Sequence, residues 1–177
     1  IDKKVLVSVG RLSSEKHMIN AVYAMEKLLQ KGHTNIVWYL VGDGFERSRI
    51  EEEIVKRKLQ GKVICVGSKQ NTYPNIKGAD NFIHTSYVES QGLIVLEAFV
   101  LQKLCIVTKS DGIKEFVIDR KNAILTEQSV ESLIDCLEQT LKNSGKIIFD
   151  EQFQKKTVEK YFPEVILEKV TKLIDFK

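Results

Sequence analysis

A doubly wound parallel α/β sheet, with about six strands, helices on both faces and a helical C-terminal tail, is the fold class that this sequence predicts. Three observations predict it. Short apolar runs alternate with longer amphipathic stretches, the pattern of a parallel sheet covered on both sides. Glycine-bearing and charged turns gather after the carboxyl ends of the runs, and the opposite turns carry fewer of them. Beyond Ser129 the runs stop and helical spacing continues to the end.

The strand candidates are Val5 to Val9, Ile36 to Val41, Val63 to Val66, Asn81 to His84, Leu104 to Thr108 and Ala123 to Leu125. Between the first two, Val22, Met25, Leu28 and Leu29 recur at helical spacing, and Gly32 falls where a helix ends. Ile50, Ile54, Val55 and Leu59 form the second stripe, with Gly61 as its terminator. The third connection, Asn71 to Gly78, is short and carries Pro74 in its first turn. Leu93, Ile94, Leu96, Ala98, Phe99 and Val100 make the fourth helix almost wholly apolar, so it is expected in the core. In the tail, Leu133, Ile134 and Leu137 form one stripe. Val165, Ile166, Val170, Leu173 and Ile174 form another, which starts after Phe162-Pro163-Glu164. The tail either packs on protein or lies on a membrane surface; packing is the reading adopted. Trp38, Tyr39 and Phe82 fall in strand runs and read as core.

The 177 residues fit one domain, and 43% hydrophobic with 29% charged residues is ordinary for a chain that buries a core. A formal charge of +3, with Lys and Arg interleaved among Asp and Glu, gives no ground for nucleic-acid binding. Cys65, Cys105 and Cys136 are odd in number and lack ligand spacing, which points to reduced thiols and a cytoplasmic setting. The sequence has no run of about 18 apolar residues and no signal peptide. It starts directly before a strand, without Met, and reads as an excised domain.

The most informative stretch is Glu89-Ser-Gln-Gly-Leu-Ile-Val-Leu-Glu97, two carboxylates around the start of an apolar helix whose N–H groups point off the sheet edge. Such an end binds anions. Eight helical steps at about 1.5 Å each would separate the acids by roughly 12 Å. That exceeds the roughly 5 to 9.5 Å of carboxylate pairs acting on one glycosidic bond. The two acids therefore read as holding different parts of one long ligand. At the same edge stand Gly10 and Arg11, Gly42 to Gly44, Gly67 and Ser68, and Lys109 to Gly112. Doubly wound sheets bind ligands beyond that edge. Arg11 can grip phosphate oxygens bidentately and Lys16 can add a point charge.

Glu-x7-Glu with Gly-Leu inside it, preceded by Ala79-Asp80-Asn81-Phe82-Ile83-His84-Thr85-Ser86, resembles the donor site of the retaining glycosyltransferases of family four. Val9-Gly10-Arg11-Leu12-Ser13-Ser14-Glu15-Lys16 is similar to that family's strand, Gly-Arg turn and Lys, and Val41-Gly42-Asp43-Gly44 to its Gly-Asp-Gly turn. Asp111-Gly112-Ile113-Lys114-Glu115 and Asp119 to Leu125 resemble its last two motifs. The resemblance runs from about Val5 to Leu125 and implies a Rossmann-like donor-binding domain, residues 1–177. It is the C-terminal half of a two-domain enzyme whose N-terminal acceptor domain lies outside the chain, and membrane association arises only through the full-length protein, at the inner face.

By this resemblance Glu89 lies beside the donor sugar, with Arg11 and Lys16 serving catalysis by neutralising the leaving diphosphate. Glu97 holds the ribose hydroxyls, a diol suited to a carboxylate. Backbone N–H groups of Gln91, Gly92 and Leu93 face the β-phosphate, and Gly10, Gly42, Gly67 and Asp111 complete the substrate-binding set. Asp111 either accepts from a sugar hydroxyl or caps a turn. His84 reads as a core-edge histidine. The partner is a nucleoside diphosphate sugar, with no cofactor. No Asp-x-Asp occurs, so no metal is expected. The chain departs from the family pattern at Ser90, Gln91, His17, Arg120 and Ala123, the last three at family glycines. The function expected is sugar transfer with retention, of hexosyl type, to an unknown acceptor. The rivals are a nucleotide-sugar epimerase of the same fold, a phosphorylase-like relative, and a non-catalytic nucleotide-binding domain. A dinucleotide fold is disfavoured, since no Gly-x-Gly-x-x-Gly follows the first strand.

Overall fold

The structure, a computed structural model, describes residues 3–143 and 149–165. Strands β1 (Lys4–Val9), β2 (Ile36–Val41), β3 (Val63–Gly67), β4 (Asn81–His84), β5 (Leu104–Thr108) and β6 (Ile124–Thr126) form one sheet in the order β3-β2-β1-β4-β5-β6. Every neighbouring pair is parallel. The helices are α1 (Asn20–Gln30), α2 (Arg47–Lys56), α3 (Tyr73–Lys77), α4 (Leu93–Val100), α5 (Asp111–Lys114), α6 (Val130–Lys142) and α7 (Glu151–Glu159).

Because successive strand residues face opposite sides, the sheet divides the core in two. Leu6, Trp38, Leu40, Ile83 and Ile106 meet α1, α2 and α6 through Met25, Ile50 and Leu137. Val7, Val41, Phe82 and Val107 meet the other helices through Ile76, Phe99, Ile113 and Val158. Helices thus cover both faces, as the alternation requires. Ser8, in the first core, is satisfied there: its hydroxyl donates to the Ile83 carbonyl at 2.6 Å and accepts from the Trp38 indole at 3.0 Å.

Four expectations are corrected in detail. Gly32 does follow α1 in a left-handed conformation, at φ 90°. The residue that turns the chain after α2, however, is Lys58, at φ 55°, while Gly61 sits in the turn before β3. Val55 is exposed, since it stands about 100° round α2 from the buried Ile54. Strand β6 starts one residue later than the apolar run, at Ile124. Nor is α4 wholly in the core: Val95, Leu96, Ala98 and Phe99 are buried, whereas Leu93 and Val100 lie on its outer side, exposed.

Helix α6 begins as the sequence predicts, with the Ser129 hydroxyl accepting from the Ser132 N–H, and buries Leu133, Ile134 and Leu137. Of the second tail stripe, all but Val165 lies outside the described residues. Among the described residues no helix is long and apolar enough to cross a membrane.

Candidate functional site

Strand order reverses between β1 and β4, and the loops that leave their carboxyl ends diverge there. A cleft of about 350 Å³ opens at that point. Its lining comes from the end of β1 (Val9, Gly10), the following loop (Lys16), the loop after β4 (Glu89, Ser90, Gln91, Gly92) and the first turns of α4 (Leu93, Ile94, Glu97).

The loop after β1 closes in a single 3₁₀ turn, Ser14–Lys16, and reverses at His17 in a left-handed conformation, φ 47°. A non-glycine residue there carries a conformational cost. The His17 ring stacks on Tyr87 at 3.7 Å between centroids. Further bonds tie the two loops together. The Thr85 hydroxyl donates to the Lys16 carbonyl at 2.8 Å, the Tyr87 N–H to the Glu15 carbonyl at 3.0 Å, and the Asn20 amide to the Tyr87 hydroxyl at 3.2 Å. From the other side, the Gln128 amide donates to the carbonyls of Tyr87 and Lys109, each at 2.8 Å.

These ties bring Lys16 against Glu89. The ammonium donates to Oε1 of the carboxylate, and the Nε2 of His84 meets the same oxygen at 2.9 Å. Burial alone would push the Glu89 carboxyl up, but its bonds to His84 and Lys16 outweigh that and bring it down to about 2. The acid is therefore ionised throughout the physiological range. Burial lowers the His84 imidazole, so the ring is neutral, and its Nε2 is the nitrogen that donates. The histidine read as a core-edge residue is thus bonded to the site.

The Glu89 backbone is fixed as well. Its carbonyl accepts from the Gly112 N–H at 3.0 Å, and a Cβ on Gly112 would lie 2.5 Å from that oxygen. At the other end of the cleft, Gly92 precedes α4 at φ 60°, and no side chain caps the helix. The Val95 N–H donates back to the Gly92 carbonyl at 2.9 Å, and the first-turn N–H groups together give that end a partial positive charge. In the second turn, Glu97 is half-buried and makes no ion pair among the described residues. Burial pushes its carboxyl up.

Of the residues predicted from sequence, the cleft unites Gly10, Lys16, Glu89, Gln91, Gly92, Leu93 and Glu97. Arg11 stands next to it on the exposed rim. Gly42 and Gly67 lie outside the lining and bond to each other, the Gly42 N–H to the Gly67 carbonyl at 3.0 Å. A Cβ on Gly42 would come 1.8 Å from the Gly10 carbonyl oxygen, so this glycine serves the packing of the two turns. Asp111 is exposed and pairs with Lys114 at 2.9 Å in the first turn of α5. In the last motif Asp119 accepts from the Leu125 N–H at 2.8 Å and Asn122 donates to the Phe116 carbonyl at 2.7 Å, which makes this segment a brace for β6.

His84, Thr85, Tyr87 and Gln128 are the supporting residues that sequence reasoning did not assign. The signals for the first three were their place at the end of β4 and, for His84 and Thr85, the segment Ala79 to Ser86 that carries the family resemblance.

A sequence profile of the family described as Glycosyl transferases group 1 matches residues 1–160. The lipopolysaccharide core biosynthesis glycosyltransferase LpsE of Rhizobium meliloti (strain 1021) is 24% identical over 178 residues, covering 99% of this chain and 51% of LpsE. The alpha-monoglucosyldiacylglycerol synthase of Acholeplasma laidlawii is 28% identical over 132 residues, 73% of this chain and 33% of the synthase. Among solved structures, Anabaena Alr3699/HepE in complex with UDP superposes with a TM-score of 0.87 at 19% identity, over 99% of this chain and 50% of HepE. TarM of S. aureus superposes with a TM-score of 0.84 at 23% identity, over 97% of this chain and 35% of TarM. The chain spans between a third and a half of the length of these two curated relatives.

Proposed function

The chain belongs to the Glycosyl transferases group 1 family, and from that membership we propose that it is the donor-binding half of an enzyme that moves a hexose-type sugar, with retention, from a nucleoside diphosphate to an acceptor. One observation carries the reading. Taken along the chain, the lining of the cleft at the strand-order reversal offers a fixed carboxylate, an uncapped helix N-terminus and a carboxylate without an ion pair among the described residues. A nucleotide sugar presents hydroxyls, a diphosphate and a ribose diol in the same order.

In this arrangement Glu89 accepts from the sugar and Glu97 takes the ribose diol with two acceptor oxygens. The N–H groups around Gln91, Gly92 and Leu93 take the β-phosphate, helped by the axial field of α4 and by Arg11 at the rim. The bond from the anomeric carbon to the diphosphate breaks and one to the acceptor oxygen forms on the same face. The departing diphosphate oxygen takes the acceptor proton. The acceptor is held by a second domain outside this chain, so the chain contributes positioning and leaving-group stabilisation. Complexes of one structural neighbour, HepE with UDP and HepE with UDP-glucose, support this class of donor.

Melting the chain in the presence of UDP, GDP, ADP and their glucose esters tests the reading. A ligand at about 100 times its Kd stabilises the fold by about 2.7 kcal/mol. One base is expected to raise the melting temperature clearly above the other two. No shift with any of them, or a preference for NAD, refutes the donor site. Multiple-turnover transfer by the chain alone refutes its being half an enzyme.

A further inference from the structure

We propose that His84 is a positioning residue for the donor sugar: together with Lys16 it occupies Oε1 of Glu89, so that Oε2 is presented to a sugar hydroxyl. The inference rests on the donor-site reading above and adds to it a residue and an atom.

The argument is one of hydrogen-bond accounting. Both Lys16 Nζ and His84 Nε2 bond to Oε1, and no bond of the described residues reaches Oε2. A carboxylate with two donors on one oxygen can no longer swing freely about its side-chain bonds, and its second oxygen keeps its lone pairs. Glu89 lines the cleft, so a hydroxyl brought there meets a fixed acceptor. Fixing it before the ligand arrives reduces the ordering cost of binding.

His84 is also costly in a way that needs an explanation. It ends a strand whose four residues are all buried, and its Nδ1 is buried without a partner among the described residues. An apolar side chain at this strand end would avoid the orphan nitrogen, yet it would leave Oε1 with Lys16 alone. Lys16 enters from a loop and its side chain is 27% exposed, whereas the side chain of His84 is 4% exposed. Of the two donors, the one rooted in the sheet sets the direction of the carboxylate.

Two substitutions separate this role from simple packing. His84→Gln keeps an N–H donor near the place of Nε2, while His84→Asn, of similar polarity, reaches only as far as Nδ1. Calorimetry measures binding of the diphosphate selected by the melting screen among UDP, GDP and ADP, and of its glucose ester. In His84→Asn the preference for the sugar-bearing ligand over the bare diphosphate is expected to fall about tenfold, the scale of one hydrogen bond to a charged group. Affinity for the bare diphosphate stays within about threefold, and His84→Gln retains the wild-type preference to about the same margin. Equal losses for both ligands, or an unchanged preference in His84→Asn, overturn the proposal. Should His84→Asn fail to fold, His84→Leu removes the same Oε1 donor together with the orphan nitrogen, and an unchanged preference there overturns it as well. A wild-type chain that binds none of the diphosphates fails the donor site itself and the inference with it. A chain that binds them with a preference insensitive to His84 fails the inference alone.

Discussion

Glu89 and Glu97 border one cleft, eight residues apart, and the protein treats them in opposite ways. Glu89 receives two donors on one oxygen, its carbonyl is bonded to a neighbouring loop, and its carboxyl is held down to about 2. Glu97 has no ion pair among the described residues, and burial pushes its carboxyl up. Both belong to one Glu-x7-Glu stretch, Glu89 followed by Ser90 and Gln91 and Glu97 set between Leu96 and Ala98. The difference shows that one end of the site is assembled in advance, while the other keeps an unmet charge on a helix. A buried carboxylate without a partner is unfavourable in the free protein, so a ligand that donates to it gains by relieving the free state.

The comparison is broken most severely by moving the fixed end. Gly112→Ala places a methyl 2.5 Å from the Glu89 carbonyl oxygen and the Ser90 backbone, where no flexible side chain can give way. A destabilisation of about 3 kcal/mol is expected, with loss of preference for the sugar-bearing donor. An unchanged urea midpoint would show that the loop around Glu89 is free to shift and that this end is not preassembled.

Next in size is removal of one donor. Lys16→Met leaves His84 as the only donor among the described residues to the Glu89 carboxylate, whose side chain is 8% exposed. The stability loss at pH 7 is expected near 2 kcal/mol, a hydrogen bond to a charged group. The pH dependence has a definite sign. The folded carboxyl is depressed, so its contribution is present above the ordinary value of 4.5 and is lost as pH falls towards about 2. Without Lys16 the loss sets in at higher pH, so acid unfolding should come earlier. Superimposable acid-unfolding curves would mean that the ion pair contributes nothing.

At the open end the sign of the stability effect reverses. Glu97→Gln removes a charge that the free fold accommodates poorly, so the melting temperature at pH 7 should rise by roughly 1–2 °C, about 0.5 kcal/mol for a chain of this size. Affinity for the bare nucleoside diphosphate should fall about tenfold at the same time. The folded carboxyl is raised above 4.5, so the wild-type penalty is present at neutral pH and disappears below the ordinary value. The stability gap between variant and wild type should therefore close by about pH 4. Lower stability of the variant at pH 7 would reveal a partner for Glu97 and end the contrast between the two acids.

Much of the fold was legible because each element announces itself locally. The apolar runs of β2, β4 and β5 match their strands residue for residue, and convergence of the glycine turns on one edge follows from a parallel sheet. Residue types could not tell which charges meet. Lys16 was assigned to phosphate and Glu89 to sugar, yet their side chains touch, since a ligand-binding loop and a core strand end come together only in three dimensions. Burial of His84 gave no sign of its partner, because a histidine ending a strand serves packing or a site equally well. Exposure of Leu93 and Val100 was missed for a related reason. An apolar helix of eight residues on the outside of a sheet keeps part of its surface uncovered unless another element lies over it.

The smallest effects concern two non-glycine residues that stand where the family has glycine, His17 and Arg120, with φ of 47° and 56°. An L residue in this region costs roughly 1–2 kcal/mol relative to glycine, less the extra freedom that glycine gives the unfolded chain. The Arg120 side chain is 76% exposed and outside the lining of the cleft, so Arg120→Gly should stabilise by about 0.5 kcal/mol and leave ligand binding unchanged. His17→Gly relieves the same strain but loses the stack on Tyr87, and an aromatic pair contributes about 0.5–1.5 kcal/mol. Its net stability change should lie near zero. Binding should nevertheless weaken about twofold to threefold for the sugar-bearing donor, because the stack is one of the ties that hold Lys16 against Glu89. Melting curves and calorimetry on the two variants together decide it. If His17→Gly gains as much stability as Arg120→Gly and binds the donor as wild type does, the stack does not preassemble the Glu89 end, and the bonds through Thr85 and Tyr87 hold Lys16 without it.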